Sequence, residues 1–133
     1  MSKCVLDASA VLVFFHQEPG IEQVARAIAD GALISAVNLS EVVAKLSEKG
    51  LREEEISESI SLFSAKVETI DFDAKLAFEA GLLRLLTKRA GLSFGDRACL
   101  ALAKRLKLPA MTADRAWENV PEEVGVQIIK VAR

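Results

Sequence analysis

The stretch Lys3-Cys4-Val5-Leu6-Asp7-Ala8-Ser9-Ala10-Val11-Leu12-Val13-Phe14-Phe15 changes character at its acid. Before Asp7 stands a short apolar run that reads as a strand buried on both faces. From Ala8 to Phe15 the apolar side chains take up helical periodicity. A strand that hands over to a helix through one polar residue opens a strand-helix-strand unit. Parallel neighbours need such a crossover, because the chain must return to the end from which it started.

The same alternation continues outward. Ala32 to Ser35, Val67 to Ile70, Pro109 to Thr112 and Val126 to Val131 read as further strands, with Lys3 to Leu6 as the first. Glu18-Pro19-Gly20 punctuates the turn into a helix over Ile21 to Ala29, and Leu39, Val42, Val43 and Leu46 form the stripe of another, ended by Gly50. Ile56, Ile60 and Phe63 mark a further helix. A long one is expected from Asp73 to about Arg89 with Gly91 as its C-terminal cap, and the last from Gly95 to Lys107. The fold class is therefore α/β, a sandwich around a mainly parallel, five-stranded sheet. Helices outnumber strands, so some helices are expected to pack on one another.

At 133 residues, 51% of them hydrophobic, the chain is large enough to bury a core and is expected to form one domain, 1–133. Its mean hydropathy of +0.27 suggests an apolar surface covered by a second chain. No apolar run is long enough to span a bilayer, and Met1 to Lys3 does not open a secretory signal, so a cytoplasmic location without membrane contact is expected. Cys4 and Cys99 fall in a strand and a helix and read as buried thiols rather than a bridge.

Four acids stand where strands end or helices begin: Asp7 after the first strand, Glu41 in the opening turns of a helix, Asp96 at the start of another, and Asp114 just past the strand Pro109 to Thr112. In a parallel sheet these positions share one rim, where ligands bind. Two unit charges about 4 Å apart repel by roughly 4 kcal/mol at an effective dielectric near 20, so such a cluster calls for a cation. Oxygen donors without His or Cys suit Mg²⁺ or Mn²⁺ and disfavour zinc. Ser9 and Thr112 lie two residues from Asp7 and Asp114 and could orient a carboxylate.

Each acid also has a purely structural reading. Asp7 and Asp114 are natural helix N-caps, Asn38-x-x-Glu41 resembles a capping box, Ser93-x-x-Asp96 is a variant of one, and Glu41 could pair with Lys45. The joint placement of all four favours a site. The single histidine, His16, reads as solvated, and its isolation excludes paired-histidine and triad mechanisms. Trp117 reads as core. A net charge of −2 looks unfavourable for a polyanionic ligand, but 19 acids less these four leave 15 against 17 bases. Lys45, Lys49, Arg52, Arg84, Lys88, Arg89 and Arg97 are candidates for phosphate contacts, with solvated helix faces as the plainer account.

Four segments carry a resemblance to a known family: Val5-Leu6-Asp7-Ala8-Ser9, Asn38-Leu39-Ser40-Glu41-Val42, Gly91 to Ala103, and Thr112-Ala113-Asp114-Arg115-Ala116-Trp117. On these the chain resembles the PIN-domain ribonucleases, and among them the VapC-type toxins of toxin-antitoxin pairs. The last two segments are the specific ones. The resemblance implies a PIN-like three-layer α/β/α sandwich and Mg²⁺- or Mn²⁺-dependent hydrolysis of RNA, with transfer RNA a common target of relatives. Asp7, Glu41, Asp96 and Asp114 match the family's acidic metal site, and Ser9 and Thr112 its supporting hydroxyls. It further implies a homodimer and a VapB-type antitoxin that covers the groove beside the acids, DNA being bound only through that antitoxin. Val11, Phe14 and Phe15 are the expected anchors for it, with core packing the expected role of at least one of them.

Two rival enzyme classes fit poorly. A haloacid-type phosphotransferase wants a second Asp where Ser9 stands, and a receiver domain wants a differently placed acid and a Lys near the sheet end. A non-catalytic PIN-type module that binds RNA or protein is the remaining alternative.

Overall fold

The structure, a computed structural model, describes residues 3–132. Met1, Ser2 and Arg133, and with them the outer limits of the expected 1–133 domain and the start of the Met1 to Lys3 segment, lie outside the described residues. In chain order the elements are β1 (Cys4–Leu6), α1 (Ala8–Phe15), α2 (Ile21–Gly31), β2 (Ala32–Ser35), α3 (Ala36–Glu48), α4 (Glu53–Ser64), β3 (Val67–Ile70), α5 (Ala74–Thr87), α6 (Phe94–Leu106), β4 (Ala110–Thr112) and β5 (Ile128–Lys130). Two short 3₁₀ turns, Arg115–Asn119 and Glu122–Val124, link the last two strands.

The five strands form one sheet in the order β3-β2-β1-β4-β5, and every pairing is parallel. The sheet is thus wholly rather than mainly parallel. The chain winds outward from β1 through β2 to β3, then crosses back to place β4 on the other side of β1. The strand order therefore reverses between β1 and β4, and a crevice opens beyond their carboxyl ends.

Alternation along β1 builds a core on each face. Cys4 and Leu6 join a cluster with Val11, Val13, Val24, Val42 and Phe63 from α1 to α4, whereas Val5 joins Leu76, Leu83, Leu100 and Leu102 from α5 and α6. This is the expected three-layer arrangement. From Ala98 to Ala103 every residue of α6 is buried, as expected of a helix packed on several sides, and α6 lies against α5, α3 and the sheet. Each fully buried leucine here contributes about 1.5–3 kcal/mol.

The ends of the elements differ modestly from the sequence expectation. Lys3 is exposed and outside β1, and β5 is three residues long because β4 offers only three partners. Regular α5 stops at Thr87, and Gly91 closes the helix as expected. At φ +72° it is the left-handed residue of a Schellman motif, its amide donating to the Lys88 carbonyl at 3.1 Å and the Leu92 amide to the Thr87 carbonyl at 3.4 Å.

Candidate active site

Asp7 sits at the crevice between β1 and β4. Its backbone is extended, its carboxylate accepts the Ala10 amide at 2.8 Å as the N-cap of α1, and the residue is only 2% exposed. The cap and the site are thus one residue. Thr112, the last residue of β4, donates its hydroxyl to Asp7 Oδ2 at 2.5 Å, and Ser9 donates to the same carboxylate at 2.8 and 2.9 Å.

Both hydroxyls are themselves held. Ser9 Oγ accepts the Ala113 amide at 2.9 Å, and Thr112 Oγ1 accepts the Asp114 amide at 3.0 Å. A hydroxyl has one proton to give, and in each case it goes to Asp7. The 3.2 Å approach of the two hydroxyl oxygens is then a consequence of their shared acceptor. Ser9 bonds the carboxylate beside which it was read, whereas Thr112, read beside Asp114, donates instead to Asp7 and accepts only the amide of Asp114.

Burial raises the proton affinity of Asp7 from 3.8 to about 7; the bonds from Thr112, Ala10 and Ser9 oppose the shift, and the charge of Asp96 adds to it. Beneath the rim, burial pushes the Cys99 thiol well above its ordinary range, with smaller contributions from Asp7, Asp96, Cys4 and Glu41. Three of the four expected acids therefore act on one buried point of α6. Cys4 and Cys99 are free, buried thiols, as read from the sequence.

Glu41 lies in the second turn of α3, partly buried, and its Oε1 accepts the side-chain amide of Asn38 at 2.8 Å. The capping-box reading of Asn38 and Glu41 fails. Ser35 caps α3 by accepting the Val37 amide, so Asn38 is inside the helix and 1% exposed. The Lys45 pairing fails too, since Lys45 turns to Glu48 at 3.5 Å. Asn38 is the site residue that sequence reading missed. Its signal, a buried amide one helical turn before an acid, was masked by the resemblance to a cap.

Asp96 lies in the first turn of α6, where the box with Ser93 is complete: the Ser93 amide donates to Asp96 Oδ2 at 2.8 Å and the Asp96 amide to Ser93 Oγ at 3.3 Å. Asp114 is exposed, and its Oδ1 caps the turn Arg115–Asn119 by accepting the Ala116 amide at 2.9 Å. Each spends one oxygen locally. Among the described residues, no three His, Cys, Asp or Glu side chains converge to ion-binding distance. The rim still fits a hard divalent cation by chemistry: its donors are all oxygens, and its deepest carboxylate is buried without a cationic partner among the described residues.

Of the basic candidates, Arg97 donates to the Ala80 carbonyl and Arg52 pairs with Glu55, while Lys49, Arg84, Lys88 and Arg89 are exposed. His16 is half-buried with Nε2 unpartnered, not solvated as expected. Trp117 is core, 1% exposed.

The family model for the PIN domain matches residues 4–123. No curated protein matches the sequence significantly. Solved structures do match in fold. A chain of DNA-bound VapBC from Salmonella typhimurium superposes with a TM-score of 0.76 at 23% identity, covering 99% of this chain and 100% of that one. VapBC2 from Rickettsia felis, bound to a DNA fragment from its promoter, gives 0.76 at 20% identity over 98% and 99%. VapC20 of Mycobacterium tuberculosis, a toxin that cleaves the sarcin-ricin loop, gives 0.71 at 16% identity over 91% and 98%.

Proposed function

From the match over residues 4–123, by which the chain belongs to the PIN domain family, we propose a Mg²⁺- or Mn²⁺-dependent endoribonuclease acting as the toxin of a VapBC-type pair. One observation carries the chemistry. Asp7 is a buried carboxylate at the strand-order reversal, fixed by three donors and not neutralised by any of them. Burying an uncompensated charge is costly, and a bound cation offsets that cost.

In this reading Asp7, Asp96 and Asp114 hold the cation and Glu41 completes the site. The metal, when bound, supplies a nucleophilic water at neutral pH and offsets charge on the phosphate. The chain's own residues do the positioning. Ser9 and Thr112 hold the Asp7 carboxylate in one orientation, and Glu41, partly exposed, would take a proton from the attacking water. The substrate is RNA, with transfer RNA as the first to be tested.

Two apolar surfaces suit the partners. Phe14, Phe15, Ile28, Leu62 and Phe63 line a cavity of about 410 Å³ between α1, α2 and α4, fit for an amphipathic segment of a VapB-type antitoxin. Val11 is fully buried, so of the expected anchors only Phe14 and Phe15 remain available. On α5, Phe78, Leu82 and Leu85 recur at helical spacing and are 68%, 64% and 84% exposed, a stripe suited to a second copy of the chain. DNA contact would come through the antitoxin, and the whole chain would act as one PIN domain in the cytoplasm.

The deciding experiment is cleavage of total RNA and of transfer RNA by purified protein with Mn²⁺, with EDTA, and with Asp96→Asn. Metal-dependent scission lost in the variant is expected. Binding of RNA without scission under all conditions would instead favour the non-catalytic module.

A further inference from the structure

The geometry assigns Asn38 and Gly95 a joint role as positioning residues that set the Glu41 carboxylate against the first turn of α6. The assignment rests on the metal-site reading above. Asn38 Nδ2 donates to Glu41 Oε1 at 2.8 Å and to the Gly95 carbonyl at 3.0 Å. Both partners are acceptors only, so the amide orientation is fixed by chemistry: nitrogen must face them. One side chain thereby joins an acid on α3 to the peptide that precedes Asp96 on α6.

The second observation is steric. A Cβ at Gly95 would fall within 2.5 Å of the Glu41 carboxylate carbon. The absence of a side chain at position 95 gives that carboxylate its seat, and the Asn38 amide holds it there. Gly95 is not a cap or a turn glycine; it lies inside α6 with no left-handed backbone to explain it.

Stability alone explains neither residue. Asn38, in the first turn of α3, caps nothing there and is buried with Oδ1 unpartnered among the described residues. Gly95, the second residue of α6, is a poorer helix former than alanine. Two locally unfavourable choices meet at one carboxylate, and local violations of this kind are expected at functional positions.

The two variants separate positioning from simple support. The three atoms nearest a Cβ at Gly95 all belong to the flexible end of Glu41, so the fold should tolerate Gly95→Ala and the metal-free melting temperature should stay level or rise. Asn38→Leu replaces the amide with a side chain of similar size and no donors. In both, the apparent affinity for Mn²⁺, read from the Mn²⁺-dependent rise in melting temperature, should weaken by about tenfold or more, the scale typical of residues that orient metal ligands. With RNA, kcat should fall while KM changes little. In a Glu41→Ala background, neither substitution should weaken Mn²⁺ binding further, because both act through that carboxylate.

Wild-type Mn²⁺ affinity in Gly95→Ala and Asn38→Leu would overturn the assignment, as would full additivity with Glu41→Ala. If the wild-type protein itself shows no response to Mn²⁺, the metal-site reading fails and takes this assignment with it.

Discussion

The two sides of the acidic rim are held differently. At the crevice between β1 and β4, Asp7 is buried and receives three hydrogen bonds, two from hydroxyls that are themselves anchored by backbone amides. Across the same crevice Asp114 is exposed and tied only to its own turn. One carboxylate is set by tertiary structure and the other by three residues of local chain. The difference separates preorganisation from access: in the function proposed above, the buried acid would define where a cation sits, and the exposed one would offer it the oxygen not used in capping its turn.

The largest expected effect tests that division directly. Asp7→Asn should reduce metal-dependent RNA cleavage by at least ~100-fold, above the range typical of residues that only orient metal ligands, while Asp114→Asn should cost nearer tenfold. Initial rates at saturating Mn²⁺ measure both. Equal losses would erase the distinction, and wild-type rates in Asp7→Asn would remove the site altogether.

Next in size is a dependence of metal-free stability on pH. The folded protein binds a proton at Asp7 more tightly than the unfolded chain does, since its pKa moves from 3.8 to about 7. That contribution is therefore complete below about pH 4 and lost as the pH rises towards 7. Its full range is on the order of 4 kcal/mol, at 1.36 kcal/mol for each pH unit of separation. Denaturant titrations of wild type and Asp7→Asn should diverge across that window, with Mn²⁺ reducing the wild-type loss at neutral pH. Parallel curves would show that Asp7 is not buried as described.

Thr112→Val should follow, destabilising by about 1–3 kcal/mol, because it deprives the buried Asp7 oxygen of its shortest bond and the Asp114 amide of its acceptor. Asp114→Asn should change stability least, within roughly 0.5 kcal/mol, since an exposed Asn can cap the same turn. A larger loss there would mean that Asp114 is structurally embedded, which would dissolve the contrast. Leu85→Lys offers an independent check on assembly: light scattering should move from twice 14.4 kDa to a monomer.

What the sequence disclosed follows the range of the interactions. β2 and β3 were legible to the residue, β2 as a short, mostly buried apolar run and β3 as an edge strand whose β-branched Val67, Thr69 and Ile70 are broken only by exposed Glu68, and α1 because Asp7 marks its start. That Ser9 and Thr112 lie on the rim of Asp7 was legible because strand ends in a parallel sheet share it, but the bond from Thr112 to Asp7 rather than to Asp114 was not. Asn38 was not. Its neighbours invited a local cap, and its real partner, the Gly95 carbonyl, lies 57 residues away on a helix whose packing no periodicity specifies. The seat that Gly95 provides was hidden for the same reason. His16 was misjudged because the burial of a helix end depends on what packs over it.

The bond between Thr112 and Asp7 also has a consequence in time. It joins residues 105 positions apart, and β1 finds its β4 partner only after β2, β3 and the helices between them have been made. At about 5–20 residues per second, Asp7 precedes Thr112 out of the ribosome by roughly 5–20 s. During that interval its carboxylate is solvated, unoriented and ordinary in its affinity for protons. A nascent chain therefore has no assembled crevice until Thr112 has emerged, and in the function proposed above any cleavage of surrounding RNA would wait at least until then.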